Sequence, residues 1–177
     1  MYLQNELKGI TVISVEQAVA APYCTMLLAD AGARVIKIER PDGDFARGYD
    51  SGVKGKSTIF AWLNRGKESI ALNITKKEDK TLLTRMIAKS DVLVSNLAPG
   101  AFRRLGFSAN AVRRLNPKII NCAISGYGDS DTTSNKKAYD FLIQGEVGLC
   151  SVTGTKEHPS RVGISITDIS TGLTAFS

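Results

Sequence analysis

Short apolar runs recurring between amphipathic stretches are what most restrict the fold open to this chain. Ile10-Thr11-Val12-Ile13-Ser14-Val15 has the length and β-branched content of a buried strand. Small residues, Ala18 to Ala21, follow it, and Pro22 suits the first turn of a helix that runs through Met26, Leu27 and Leu28 and stops at Gly32. Val35-Ile36-Lys37-Ile38 predicts the next strand, closed by Pro41. Residues 41–67, rich in Gly, Asp, Lys and Arg, read as a long surface connection, and such loops in compact domains are more often functional than idle. Ser69 to Leu72 predicts a short strand. Thr75-Lys76-Lys77-Glu78 has the capping-box pattern ahead of a helix whose inner face is Leu82, Leu83, Met86 and Ile87. Asp91-Val92-Leu93-Val94, a helix over 108–115, and Ile119 to Ile124 complete the alternation. Repeated strand–helix–strand units predict an α/β fold, an open and mostly parallel sheet with helices on both faces. Val162 to Ile166 reads as one more strand. Asp168 or Ser170 would then cap a last helix bearing Ile169, Leu173 and Phe176 on its apolar side.

Composition narrows the class. At 177 residues and 43% hydrophobic, the chain has enough apolar matter for one domain with a core. No apolar run approaches the ~20 residues of a membrane span, and the start lacks a basic stretch followed by an apolar one. The expectation is a soluble, cytoplasmic protein. Cys24, Cys122 and Cys150 are odd in number and far apart, which speaks against a disulfide framework or a zinc site. The net charge of +6 suits a small polyanionic ligand as well as nucleic acid. A nucleic-acid module would interleave its basic surface with stacking aromatics or a groove-entering motif, and neither is present.

Individual motifs exclude more than they establish. Gly55-Lys56-Ser57 lacks the glycine a P-loop needs five residues earlier, where Asp50 stands. The turn after the first strand, 16–22, has no G-x-G-x-x-G, so its small residues are explained equally by tight packing and by close approach of a ligand. His158, the sole histidine, lies in a polar turn, which leaves no Ser-His-Asp triad to assemble. Arg40 and Asn96 both follow the carboxyl ends of predicted strands, the edge where open α/β sheets bind ligands. Asp168 sits at the same kind of edge. There a carboxylate is either a helix cap or a nucleophile set beside free N–H donors.

Taken in order, several segments resemble family III CoA-transferases. They are Leu7 to Val12, Ala21-Pro22-Tyr23-Cys24-Thr25, Leu28 to Ala33, Val35 to Arg40, Asn64-Arg65-Gly66-Lys67-Glu68-Ser69, Asp91 to Asn96, Pro99-Gly100, Ser125-Gly126-Tyr127-Gly128, Tyr139-Asp140 with Gln144, and Val162 to Asp168. The resemblance implies a Rossmann-like CoA-binding domain and coenzyme A or acyl-CoA as substrate, with no permanently bound cofactor. It also implies a small carboxylic acid as the second substrate. Asp168 matches the family's nucleophile, which passes through an aspartyl-acyl anhydride and an aspartyl-CoA thioester. Arg40 and Arg104 match positions at the nucleotide end of CoA. Leu72, Asn73, Ile74 and Thr75, then Asn96, Leu97 and Ala98, and Lys137, Ala138, Tyr139 and Asp140 match further CoA-contacting stretches. Backbone N–H groups of Ala18, Val19 and Ala20 are implied as oxyanion donors.

Related racemases carry a histidine where this chain has Tyr139, so transferase is expected over racemase. Family members are longer, with a second domain, a returning C-terminal segment and an interlocked homodimer. Residues 1–177 are thus expected to be the N-terminal part of the large domain, truncated relative to the full fold. The remaining alternative is a non-catalytic CoA-binding protein; neither nucleic acid nor membrane is expected as a partner.

Overall fold

The computed structural model describes residues 5–128 and 136–177. In chain order it contains β1 (Thr11–Val15), α1 (Ala20–Asp30), β2 (Arg34–Glu39), a 3-10 turn (Phe45–Gly48), α2 (Thr58–Asn64), β3 (Glu68–Ala71), α3 (Lys77–Ala88), β4 (Val92–Ser95), α4 (Ala101–Arg104), α5 (Ala109–Leu115), β5 (Ile120–Ala123), α6 (Asp140–Glu146), a 3-10 turn (Leu149–Ser151) and α7 (Ile166–Phe176). The five strands form one sheet in the order β3-β2-β1-β4-β5, and every pairing is parallel. All strands therefore end at one edge, and the order reverses between β1 and β4.

Alternation along the strands builds a core on each face. Ile13, Val15, Ile38 and Leu93 meet Leu83 and Ile87 of α3, Val112 of α5 and Phe107. Val12, Val35 and Val94 face the opposite way, against Ala21 of α1 and Ala33, with Leu28 and Ala29 alongside. This two-sided burial is what the continuous apolar runs predict for parallel strands.

Several local expectations are corrected. Residues 41–67 are not an unstructured connection, because they hold the Phe45–Gly48 turn and α2. Ser57 caps α2 by accepting the Phe60 N–H, Asp50 accepts the Gly52 and Thr58 N–H groups, and Leu63 is fully buried. α1 begins at Ala20, which puts Pro22 at the third position, still inside the turn whose N–H groups lack helical partners. The capping box does not form. α3 starts after Lys76, the Thr75 hydroxyl donates to the Asn73 side chain, and Asp79 accepts the Asn73 N–H.

The expected strand over 162–166 is also absent. Its backbone is engaged locally, with the Val162 N–H donating to Gln144 Oε1 at 2.8 Å and the Ile166 N–H donating to the Ile164 carbonyl. Asp168 accordingly lies in the first turn of α7, not at its cap, which is Ser165.

α7 packs lengthwise on α1, and the contact stripe centres on Gly172 while Leu173 stays half exposed. A Cβ at Gly172 would stand 2.5 Å from the Ala20 carbonyl oxygen and 3.0 Å from the Tyr23 ring. Alanine improves intrinsic helix propensity by about 0.8–1.0 kcal/mol over glycine, but overpacking against backbone costs about 1–3 kcal/mol. The clash outweighs the propensity gain. Gly172→Ala is expected to lower the thermal midpoint, whereas an unchanged or raised midpoint would mean that the two helices are free to separate.

Candidate active site

At the reversal point β1 and β4 stay paired to Val15 and Ser95, and one side chain joins the turns that follow them. Asn96, just beyond β4, accepts the Gln17 N–H through Oδ1 at 2.9 Å and donates from Nδ2 to the Gln17 carbonyl at 2.8 Å. The next residue, Ala18, has φ of 63°, a left-handed conformation that costs a non-glycine residue energy. Its N–H donates to Asp44 Oδ1 at 3.2 Å. The turn between β1 and α1 is thereby held on both sides.

Asp44 belongs to a buried cluster of ions. Lys37 Nζ donates to Asp44 Oδ2 at 2.7 Å and to Asn64 Oδ1 at 2.9 Å. Lys67 Nζ donates to Glu16 Oε1 at 2.8 Å, to the Pro22 carbonyl at 2.9 Å and to Asn64 Oδ1 at 3.2 Å. Thr25 completes the Glu16 carboxylate with a 2.7 Å bond. The four charged side chains are at most 1% exposed. Burial holds the Lys67 ammonium below its usual pKa, with Glu16 opposing that shift. Beside the cluster, burial would raise the Glu39 carboxyl, but hydrogen bonds from Arg47, Ser69 and the Asp44 N–H win and bring it to about 2. Burial, with Cys122 and Glu16 nearby, pushes the Cys24 thiol up to about 12, so it is no nucleophile at neutral pH.

Asp168 is half-buried in the first turn of α7. Burial, and secondly the charge of Asp140, raise its carboxyl to about 6. The Asp140 carboxylate accepts the Thr167 N–H at 2.8 Å and the Thr167 hydroxyl at 2.6 Å. At pH 7 Asp168 remains mostly ionised yet poorly solvated, a combination that suits a carboxylate to attack a carbonyl carbon.

Two cavities open at the carboxyl edge. One, of about 330 Å³, is lined by Asp168, Thr167, Thr171, Ala20, Gln17 and Phe45, by Asn96, Leu97 and Ala98, and by Lys136, Lys137, Ala138 and Tyr139. The other, of about 360 Å³, lies between the ends of β1, β2 and β3, and is lined by Val15, Ile38, Arg40, Leu97 and Leu105, with Leu72, Asn73, Ile74 and Thr75. Gln17 and Leu97 border both.

The sequence profile described as CoA-transferase family III matches residues 7–177. The chain belongs to CoA-transferase family III. It is 38% identical to an acetyl-CoA:oxalate CoA-transferase of Acetobacter aceti, with 95% of this chain and 44% of that protein covered. It is 36% identical to the human succinyl-CoA:glutarate CoA-transferase, covering 96% and 40%. A crystal structure of a CAIB/BAIF family protein from Brucella suis superposes with a TM-score of 0.92 at 33% identity, over 98% of this chain and 48% of that one. The chain thus spans under half the length of the relatives it matches.

Within this family III fold, most residues singled out by resemblance border one of the two cavities. Ala20, Asn96, Leu97, Ala98, Lys137, Ala138 and Tyr139 gather with Asp168, and Arg40 and Leu72 to Thr75 gather in the neighbouring cavity. Arg104 is exposed and lines neither, and its Nη1 donates to the Pro99 carbonyl at 3.3 Å. Val19 is buried as the residue preceding α1. The Ala18 N–H donates to Asp44 Oδ1 in this structure, and Ala18 lines neither cavity. Sequence reasoning missed Gln17, Thr171 and the whole ion cluster. A signal for the cluster was present in Lys37, a cation set inside an apolar strand.

The raised Asp168 pKa has a consequence for stability. Its folded value of about 6 exceeds the ordinary 3.8, so the fold disfavours the ionised form. The cost is absent below the unfolded pKa, grows as pH rises through the folded one, and stays constant above it. Asp168→Asn is expected to raise the melting temperature at pH 8, with the gain shrinking toward pH 4. A gain of equal size at both pH values would overturn this account.

Proposed function

We propose that this chain carries the CoA-binding and covalent machinery of an enzyme moving CoA between an acyl-CoA and a carboxylic acid. The observation that carries this reading is Asp168, a half-buried carboxylate in the first turn of a helix, lining a cavity at the carboxyl edge of the sheet. The carboxylate attacks the thioester carbonyl, the C–S bond breaks, and an aspartyl-acyl anhydride and CoA thiolate result. The thiolate then attacks the aspartyl carbonyl and expels the first acid as its carboxylate, leaving an aspartyl-CoA thioester. The acceptor carboxylate repeats the two attacks in reverse order, regenerating Asp168 and a new acyl-CoA. No net proton or electron is consumed.

Supporting roles follow from position. The N–H groups of Val19 and Ala20 enter α1, where the first turn has no helical acceptors for them, and they suit the developing oxyanion. The cavity beside Arg40 offers apolar walls from Ile38, Leu72, Ile74 and Leu97 to the nucleotide end of CoA, and among the described residues Arg40 is its one basic lining residue, beside Glu16, Glu39, Asp42 and Asp44. Arg104 lies farther along the same surface as a second cation. Relatives named for oxalate and glutarate make a small carboxylate the natural acceptor. In this reading residues 1–177 form the N-terminal part of the large domain of a soluble, cytoplasmic enzyme, completed by a second domain and an interlocked partner copy.

A racemase would need a base beside the substrate α-carbon. This chain has Tyr139 where related racemases have histidine, so it lacks their base at that position. Incubation with acyl-CoA and quenching with hydroxylamine should mark the peptide containing Asp168 in a mass spectrum. Asp168→Ala should lower the exchange rate by about a thousandfold or more, and a variant with full activity would end the proposal. Arg40→Ala should raise KM for acyl-CoA about tenfold, the value of one charge-assisted contact, with kcat within about twofold. An unchanged KM would remove Arg40 from the binding site.

A further inference from the structure

Gln144 is the motif residue that the proposed chemistry leaves without a task, and it is completely buried at 0% exposure. Its amide makes three contacts. Nε2 donates to Asp140 Oδ2 at 2.7 Å and to the Ile164 carbonyl at 3.4 Å, while Oε1 accepts the Val162 N–H at 2.8 Å. The other oxygen of Asp140 takes the Thr167 N–H, the Thr167 hydroxyl and, at 3.4 Å, the Asp168 N–H. Ser165, which stands at the cap position of α7, makes no side-chain capping bond. A carboxylate from α6 therefore does for α7 what an N-cap normally does from within the same helix.

We propose that Asp140, held in place by Gln144, is a positioning residue that caps α7 from the neighbouring helix and so fixes the Asp168 carboxylate toward the cavity. This rests on Asp168 being the nucleophile, and it gives Asp140 a task different from the CoA contact that resemblance implies. Asp140 also places a like charge beside Asp168. The other titratable groups on the cavity wall that Asp168 shares are Lys136, Lys137, Tyr127 and Tyr139, with Tyr49 beyond the Phe45–Gly48 turn. None of these five is a carboxylate.

The test uses the full-length protein and two variants. Asp140→Asn keeps an acceptor for Thr167 but removes the charge. It should leave KM for acyl-CoA within about twofold and move the acid limb of the kcat/KM profile to lower pH by about half a unit or more. Gln144→Leu removes the hold on Asp140 and should lower kcat by about tenfold or more with KM little changed. Should Gln144→Leu fail to fold, the pH profile of Asp140→Asn decides alone. A raised KM with kcat and acid limb intact would make Asp140 a binding residue and overturn the proposal, as would an unshifted profile at full rate. Asp168→Ala run in parallel separates the failures. If it retains exchange activity, the nucleophile reading falls. If it is inactive while both other variants behave as wild type, only the positioning role falls.

Discussion

Two ammonium groups and two carboxylates sealed beneath the carboxyl ends of β1 and β2 set the terms for the rest of this fold. Taking each such ion out of water costs several kcal/mol, so the cluster persists only while nearly every donor and acceptor has a partner. Lys67 meets that condition with three bonds, and Lys37 with Asp44 and Asn64. The partners come from the residue after β1, from α1, β2, the loop after β2, the end of α2 and the segment leading into β3. A region that composition alone reads as loose connection is thus tied to the sheet by charge. Through the second oxygen of Asp44, the same cluster reaches the Ala18 N–H and helps hold a strained residue in place.

The parallel sheet converts that rigidity into a site. Every strand delivers its last residue to one edge, and the reversal of order between β1 and β4 splays the neighbouring turns apart, leaving a crevice. α7 then crosses back over α1, close enough that only glycine fits at position 172, and carries Asp168 to the crevice one helical turn earlier in the chain. The distance from packing contact to the Asp168 carboxylate is thus a single turn of helix. Packing at Gly172 and the placement of Asp168 cannot be adjusted separately here.

Much of this was legible in the sequence, and the exceptions share a cause. The strands were readable because buried parallel strands are simply apolar, and the helix expected over 108–115 forms as α5, where Ser108 accepts the Ala111 N–H as its cap. Asp168 could be singled out by its place after an apolar run, although the run proved not to be a strand. Val162 to Ile166 has the right residues, but Gln144 supplies a hydrogen-bond partner that the sheet does not. α2 hid behind its polar surroundings: its Ser57 cap is local, but Asp50 accepts the Thr58 N–H from eight residues away. The bonds of Asp140 to Thr167 depend on the fold bringing together residues 27 positions apart. What the sequence did not display was a polar partner beyond the reach of a local pattern.

The bridge between Asn96 and Gln17 carries a further implication for how this position can vary. A carboxamide is the short side chain that presents one donor and one acceptor side by side, and both are used on the backbone N–H and C=O of a single residue, Gln17, just beyond β1. Aspartate, one base change away, accepts but does not donate at neutral pH. Lysine donates but does not accept, and serine does both but falls short of the far strand. The crevice is spanned at this point by a rung that the genetic code offers few ways to replace, because each of those three changes gives up at least one of its two bonds.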